Sequence, residues 1–394
     1  MRRLLFFLTI TTVFILLTFL VRFLVRQANR KIWQKRWLDK AAFHYPYLFL
    51  LSLVLMILSA SLARQSLMMK VSITLGFIFL VLSITLLLSF LAVFAFYFCF
   101  KLWPKINKNT RPFSSERRRA LKVTASVAPI LLLGTSVRGF AGAFSKVQIP
   151  VISFHFKNLP TAFENFRILH LSDLHLGYYF NLKELENLIG ELMRQNYDLV
   201  LITGDCADDV NQLADALHLI DQIPTRLPKF FSLGNHEYFR DFPRTLRILE
   251  KSNIQLLRNE AVTLVHNSSK MRLIGIDDPV YMGREITSFL DNFLRKATNG
   301  SGEESFNLLM SHRPQALDLA PDFGLDLVLA GHTHGGQVGF NGRSVFENWG
   351  IHKYLWGKYQ KGNSQLYTSA GVGHWFPFRL GCPPEAPVIE LKQG

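Results

Sequence analysis

The stretch Arg167-Ile-Leu-His-Leu-Ser-Asp-Leu-His175 runs from an apolar segment of strand character directly into an Asp-x-His pair. The same arrangement recurs downstream. Leu199-Val-Leu-Ile-Thr203 leads into Gly204-Asp205-Cys-Ala-Asp208, and Phe230-Phe-Ser-Leu233 into Gly234-Asn235-His236-Glu237. Asn307-Leu-Leu-Met310 leads into Ser311-His312-Arg313-Pro314, and Leu327-Val-Leu-Ala330 into Gly331-His332-Thr333-His334. Apolar strands thus deliver Asp, Asn or His at one end, where layered α/β proteins bind their ligands. Neighbouring glycines let the backbone turn sharply there. One such piece is a common accident, and a lone strand-end histidine such as His312 is more often a structural residue. A full ordered set, each member after an apolar run, is not.

The mixture of imidazole and carboxylate donors suits Zn, Mn or Fe, whereas an all-oxygen set would suit Mg or Ca. A carboxylate can bridge two cations ~3.5–4 Å apart, and such a pair clamps the attacking and leaving oxygens of a phosphate ester. The Asp-x-His and His-x-His pairs can reach one divalent metal ion, or two adjacent ones, if the chain turns at the strand ends.

Outward from these motifs, short β-branched runs alternate with amphipathic stretches from Val147 onward. Strands are predicted at 147–155, 167–172, 198–202, 229–233, 271–276, 306–310, 326–330, 366–369 and 387–392. Helices are predicted at 183–194, 211–221, 243–252 and 285–296. The alternation implies an α/β fold, two packed sheets flanked by helices.

Residues 1–150 differ in kind. They hold 21 Lys/Arg against Asp39 and Glu116 alone, a net charge of +19, leaving 23 basic and 27 acidic residues in 151–394. The positive charge lies between apolar runs, not on a folded face, which argues against nucleic acid as a partner. Runs at about 4–21, 45–63, 71–100 and 123–137 predict an N-terminal anchor region, 1–146, of about four transmembrane segments with the lipid bilayer as partner. Basic linkers after the first and third runs predict a multi-pass cell-membrane protein whose 147–394 domain lies on the non-cytoplasmic side if the fourth run spans. Glu116-Arg-Arg-Arg-Ala-Leu-Lys122 also looks like a twin-arginine export signal, although Ala120 and Glu116 depart from its pattern. Cys99, Cys206 and Cys382 make neither a disulfide framework nor a zinc–thiolate set.

The ordered set Asp-x-His, Gly-Asp-x-x-Asp, Gly-Asn-His-Glu, His and Gly-His-x-His resembles the calcineurin-like metallophosphoesterase superfamily over about 147–394. The closing Arg379-Leu-Gly-Cys-Pro-Pro-Glu385 looks like its membrane-associated bacterial branch, similar to UDP-2,3-diacylglucosamine pyrophosphatases of lipid A biosynthesis. The resemblance implies a four-layer α/β/β/α sandwich. It implies that Asp173, His175, Asp205 and His334 hold one metal, manganese among the candidates. Asp205 would bridge to a second ion completed by Asn235, His312 and His332. His236 would face the substrate and protonate the leaving oxygen, with Asp208 orienting it, and Glu237 would stand behind the ligands. Ser369-Ala370-Gly371 stands where many relatives carry an arginine, so Arg379 and His374 become the candidate substrate contacts.

The expected reaction is hydrolysis of a phosphodiester or pyrophosphate bond in a phosphorylated small molecule, lipid-linked or from the cell envelope. Protein phosphatase activity and a non-catalytic metal-binding receptor or transport component are the alternatives. Trp349, Tyr354, Trp356, Tyr359, Trp375, Phe376 and Phe378 follow the last motif, as core or as a headgroup contact.

Overall fold

The computed structural model describes residues 67–97 and 131–394 apart from 178, 281–284, 300–305, 348–352 and 375, with isolated positions between 12 and 54. The chain divides into two compact units, Met1–Phe140 and Ala141–Gly394.

In the first unit the longest described element is helix α1 (Leu67–Tyr97). The expectation of a multi-pass membrane protein is corrected here: among the described residues no helix is long and apolar enough to cross a membrane. Most of the runs 4–21 and 45–63, the start of 123–137 and the arginine stretch 116–122 lie outside the described residues. The end of the fourth run begins a second helix, α2 (131–143).

The second unit is a sandwich of two six-stranded sheets. The first contains β1 (Val151–Phe156), β2 (Arg167–Leu171), β3 (Leu199–Thr203), β4 (Phe230–Ser232), β5 (Gln255–Leu256) and β14 (Val388–Gln393), in the order β1-β14-β2-β3-β4-β5. The second contains β6 (Glu260–His266), β7 (Ser269–Gly275), β8 (Asn307–Met310), β9 (Leu327–Ala330), β12 (Gly357–Lys361) and β13 (Ser364–Thr368), in the order β12-β13-β9-β8-β7-β6. A hairpin of β10 (Gly339–Phe340) and β11 (Arg343–Ser344) stands apart. The motif-bearing strands β2, β3 and β4 pair in parallel, as do β8 and β9, so their C-terminal ends point the same way within each sheet.

Strand alternation explains the layers. Ile168, Leu199, Leu201 and Phe230 face inward and pack on Leu273, Leu308, Met310, Leu327 and Leu329 of the other sheet. The alternate residues Leu169, Leu171, Val200, Ile202 and Phe231 face α3 (Leu182–Leu192), α4 (Leu213–Asp221) and α6 (Phe242–Glu250), the last preceded by the short α5 (Asn235–Phe239). On the far side Ile274, Leu309, Val328 and Leu366 pack against Leu290, Leu294 and Ala297 of α7 (Ile286–Thr298). The α/β/β/α sandwich is thus present. Each fully buried Leu, Ile or Phe contributes about 1.5–3 kcal/mol to holding it.

The strands outside the predicted set are the short or half-exposed ones. β6 alternates irregularly between exposure and partial burial, and β12 (Gly-Lys-Tyr-Gln-Lys) is polar because it edges its sheet. Of the described aromatics after the last motif only Trp356 is buried, and Tyr354, Tyr359, Phe376 and Phe378 are half-buried. Trp356 is buried with Nε1 donating to Glu385 Oε1, and Tyr354 donates to Asp318. Trp349 and Trp375 lie outside the described residues.

His170, in β2, is fully buried; its Nε2 meets Thr203 Oγ1 at 2.8 Å and its Nδ1 has no partner. Burial lowers its pKa to about 3, so the unfolded chain takes up this proton first, near pH 6.5. Stability from this group is complete above pH 6.5 and falls as the pH drops toward 3. His170→Gln is therefore expected to shrink the stability lost between pH 7 and 5 by about 2 kcal/mol. Urea unfolding of both proteins at the two pH values checks this, and an unchanged difference refutes it.

Candidate metal centre

The ends of β2, β3 and β9 carry backbone strain where the motif residues stand. Asp173, His175, Asp205, His332 and His334 all have positive φ, between 47° and 71°, a region that costs a residue with a Cβ about 1–2 kcal/mol. That geometry brings donors from separate strands onto one point. Close approach also demands glycine: a Cβ on Gly331 would stand 2.1 Å from Asp173 Oδ2, and one on Gly234 2.4 Å from Asp205 Oδ1.

Two groups of donors result. Asp173, His175 and His334 form one, and Asp205, His312 and His332 the other, with the ligand atoms of each within 4.8 Å of one another. In the first, His175 Nε2 is 3.0 Å from His334 Nε2, and His334 Nε2 is 3.5 Å from Asp173 Oδ1. In the second, His312 Nε2 is 3.1 Å from Asp205 Oδ2 and 3.2 Å from His332 Nδ1. Asp205 Oδ2 is also 3.7 Å from His175 Nε2, so one carboxylate oxygen faces both groups.

The surroundings fix which nitrogen of two rings is free. His312 Nδ1 donates to Thr203 O at 2.7 Å, leaving the Nε2 lone pair toward Asp205. His175 Nδ1 lies 3.3 Å from Asp208 Oδ2, which likewise leaves Nε2 inward. Buried acids and imidazoles compensate one another. Burial alone would raise Asp205, but His312 and His236 hold its carboxyl well below the usual range. Burial disfavours charge on His312, yet Asp205 pushes it up to about 10. A site of mixed N and O donors from largely buried side chains has the chemistry of a transition-metal site, and the residues fit such an ion.

Asp208 joins the two halves of the chemistry. Its Oδ1 accepts from His236 Nδ1 at 2.6 Å and Arg240 Nη2 at 2.9 Å, while its Oδ2 faces His175. His175, Asp208 and His236 also lie close enough to form a third donor group. However, Asp208 Oδ1 is already engaged by two donors, and His175 turns Nε2 elsewhere. Glu237 is no ligand candidate: its carboxylate accepts from the backbone N–H of Gly234, Asp205 and Cys206 at 2.7–2.9 Å, tying two motif loops together.

His175, Asp205, Asn235, His236, His332 and His334 open onto a cleft of about 380 Å³. The two proposed substrate contacts lie elsewhere. Arg379 is fully buried and donates to the carbonyls of Ala370 and Gly373, with Nη2 3.4 Å from His334 Nδ1. Its place is behind a ring of the site, not in the cleft. His374 is buried and stacked on Tyr179, lining a separate cavity of about 230 Å³. Sequence reasoning missed the buried pair Asp278–Arg313 behind Asn235 and His332. The signal was present, since Asp277-Asp278 follows an apolar strand just as the counted motifs do.

The family model of the calcineurin-like phosphoesterases matches residues 166–336. The chain is 28% identical to an uncharacterized metallophosphoesterase of Helicobacter pylori over 71% of this chain and 73% of that protein. It is 30% identical to the uncharacterized metallophosphoesterase YkoQ of Bacillus subtilis over 49% of this chain and 69% of that protein. Among solved structures, a 5'-nucleotidase precursor of Thermus thermophilus aligns with 54% of this chain and 49% of its own, at 14% identity and a TM-score of 0.34. With four of the five motifs lining one cleft and His312 set against Asp205 and His332, the chain belongs to the calcineurin-like phosphoesterase family and is a metal-dependent phosphoester hydrolase.

Proposed function

We propose that this cleft holds two divalent cations (Mn, Fe or Zn) and hydrolyses a phosphodiester or pyrophosphate bond of a phosphorylated small molecule. The observation that carries the reading is Asp205 Oδ2, 3.7 Å from His175 Nε2 and 3.1 Å from His312 Nε2, a single oxygen suited to bridging. Asp173, His175 and His334 would hold the first ion with it; Asn235, His312 and His332 would hold the second. Such a pair of ions supplies Lewis acidity to the phosphoryl oxygens and to the attacking water. The chain supplies the rest. Asp208 fixes His236 through Nδ1, so Nε2 is the nitrogen left to pass a proton to the leaving oxygen. Asp208 also orients His175, so one carboxylate aligns proton donor and ligand together.

Among the described residues lining the cleft there is no Lys or Arg. Such a site neutralises the single charge of a diester more readily than the double charge of a monoester. Full-length protein is therefore expected to favour bis(4-nitrophenyl) phosphate over 4-nitrophenyl phosphate by at least about 10-fold in kcat/KM. Preference for the monoester would refute this reading. The sequence resemblance makes UDP-2,3-diacylglucosamine the natural pyrophosphate to include in the same assay, with a phosphopeptide as the protein-phosphatase comparison.

A further inference from the structure

Asp278 and Arg313 form a buried ion pair to which the hydrolytic chemistry assigns no role. Arg313 Nε and Nη2 donate to Asp278 Oδ2 and Oδ1 at 2.7 and 3.1 Å, and Nη2 also donates to Val280 O at 3.2 Å. The same guanidinium sets Nη1 2.7 Å from His332 Nε2 and Nη2 3.5 Å from Asn235 Oδ1. It therefore touches two of the side chains assigned above to the second cation. A fixed positive charge at that place opposes the entry of a divalent ion. Asp278, 3% exposed and engaged through both oxygens, cancels the charge and holds the guanidinium plane. The first half of the site is built differently. Arg379, beside His334, donates to backbone carbonyls instead of gripping a carboxylate.

We propose that Asp278 is a positioning residue for the second half of the metal site. By cancelling the charge that Arg313 sets beside His332 and Asn235 it keeps that charge from opposing the second cation, so that loading of the second cation, and not of the first, depends on Asp278 as long as Arg313 is present. The inference rests on the two-cation reading given above.

Full-length protein stripped with chelator and titrated with Mn²⁺, with bound ions counted per chain, tests it without recourse to activity. Wild type is expected to bind two ions. Asp278→Asn should keep the first at its normal affinity and weaken the second at least ~10–100-fold, the usual range for losing a partner behind a ligand. Breaking a buried pair can also unfold a chain, so a double variant, D278N with R313Q, removes the stranded charge together with its counter-ion. That variant should recover the second ion to within ~10-fold of wild type. Two ions at unchanged affinity in the single variant would overturn the proposal. So would loss of both ions from a folded single variant, or a double variant as deficient as the single one. A wild type that binds fewer than two ions would instead refute the two-cation reading itself.

Discussion

Asp205→Ala is expected to empty both halves of the metal centre. Its Oδ2 faces His175 and His312 from opposite groups, while its Oδ1 accepts from the His236 backbone N–H at 2.8 Å. Losing the shared oxygen removes an anionic donor from each ion and leaves His312 without the carboxylate that raises it. Metal analysis should fall from two ions per chain to less than one, and diester turnover by at least ~10³-fold, the rate equivalent of several kcal/mol of lost Lewis acidity. The fold should survive, because Glu237 still grips the loop through the residue 205 and Cys206 backbone N–H. Two ions retained by the variant would refute the bridging role.

His236→Ala should separate chemistry from metal binding. The ring is held by Asp208 at 2.6 Å and opens onto the cleft, but it belongs to neither of the two ligand groups joined by Asp205. Turnover of a diester with a poor leaving group should fall ~10²–10⁴-fold, the usual contribution of general acid catalysis, with metal content unchanged. The loss should shrink toward ~10-fold for a nitrophenolate leaving group, which departs without a proton. Loss of an ion in step with activity would make His236 a ligand and contradict its role as proton donor.

Much of the fold was legible because its central strands are buried on both faces. Leu199–Thr203 and Leu327–Ala330 are buried throughout and read as short continuous apolar runs. The helices α3, α4, α6 and α7 carried a clear amphipathic period, and Asn181 and Glu184 form a capping box at the start of α3. Edge strands such as β12 offered no such pattern. The donors of the cleft were legible as types at strand ends, but their partners were not. That Arg379 would turn inward to carbonyls, or Asp208 reach both His175 and His236, depends on loops converging in space. Apolar runs in 1–150 mark composition, and among the described residues no helix is both long and apolar enough to cross a membrane.

The central claim is that hydrolysis requires two ions held by the residues around Asp205. Its most direct test is diester turnover by chelator-stripped, full-length protein as Mn²⁺ is returned in measured equivalents. The account predicts no turnover without metal, little at one ion per chain, and full activity as the second is bound. Full activity in excess chelator, or saturation at one equivalent, would contradict it.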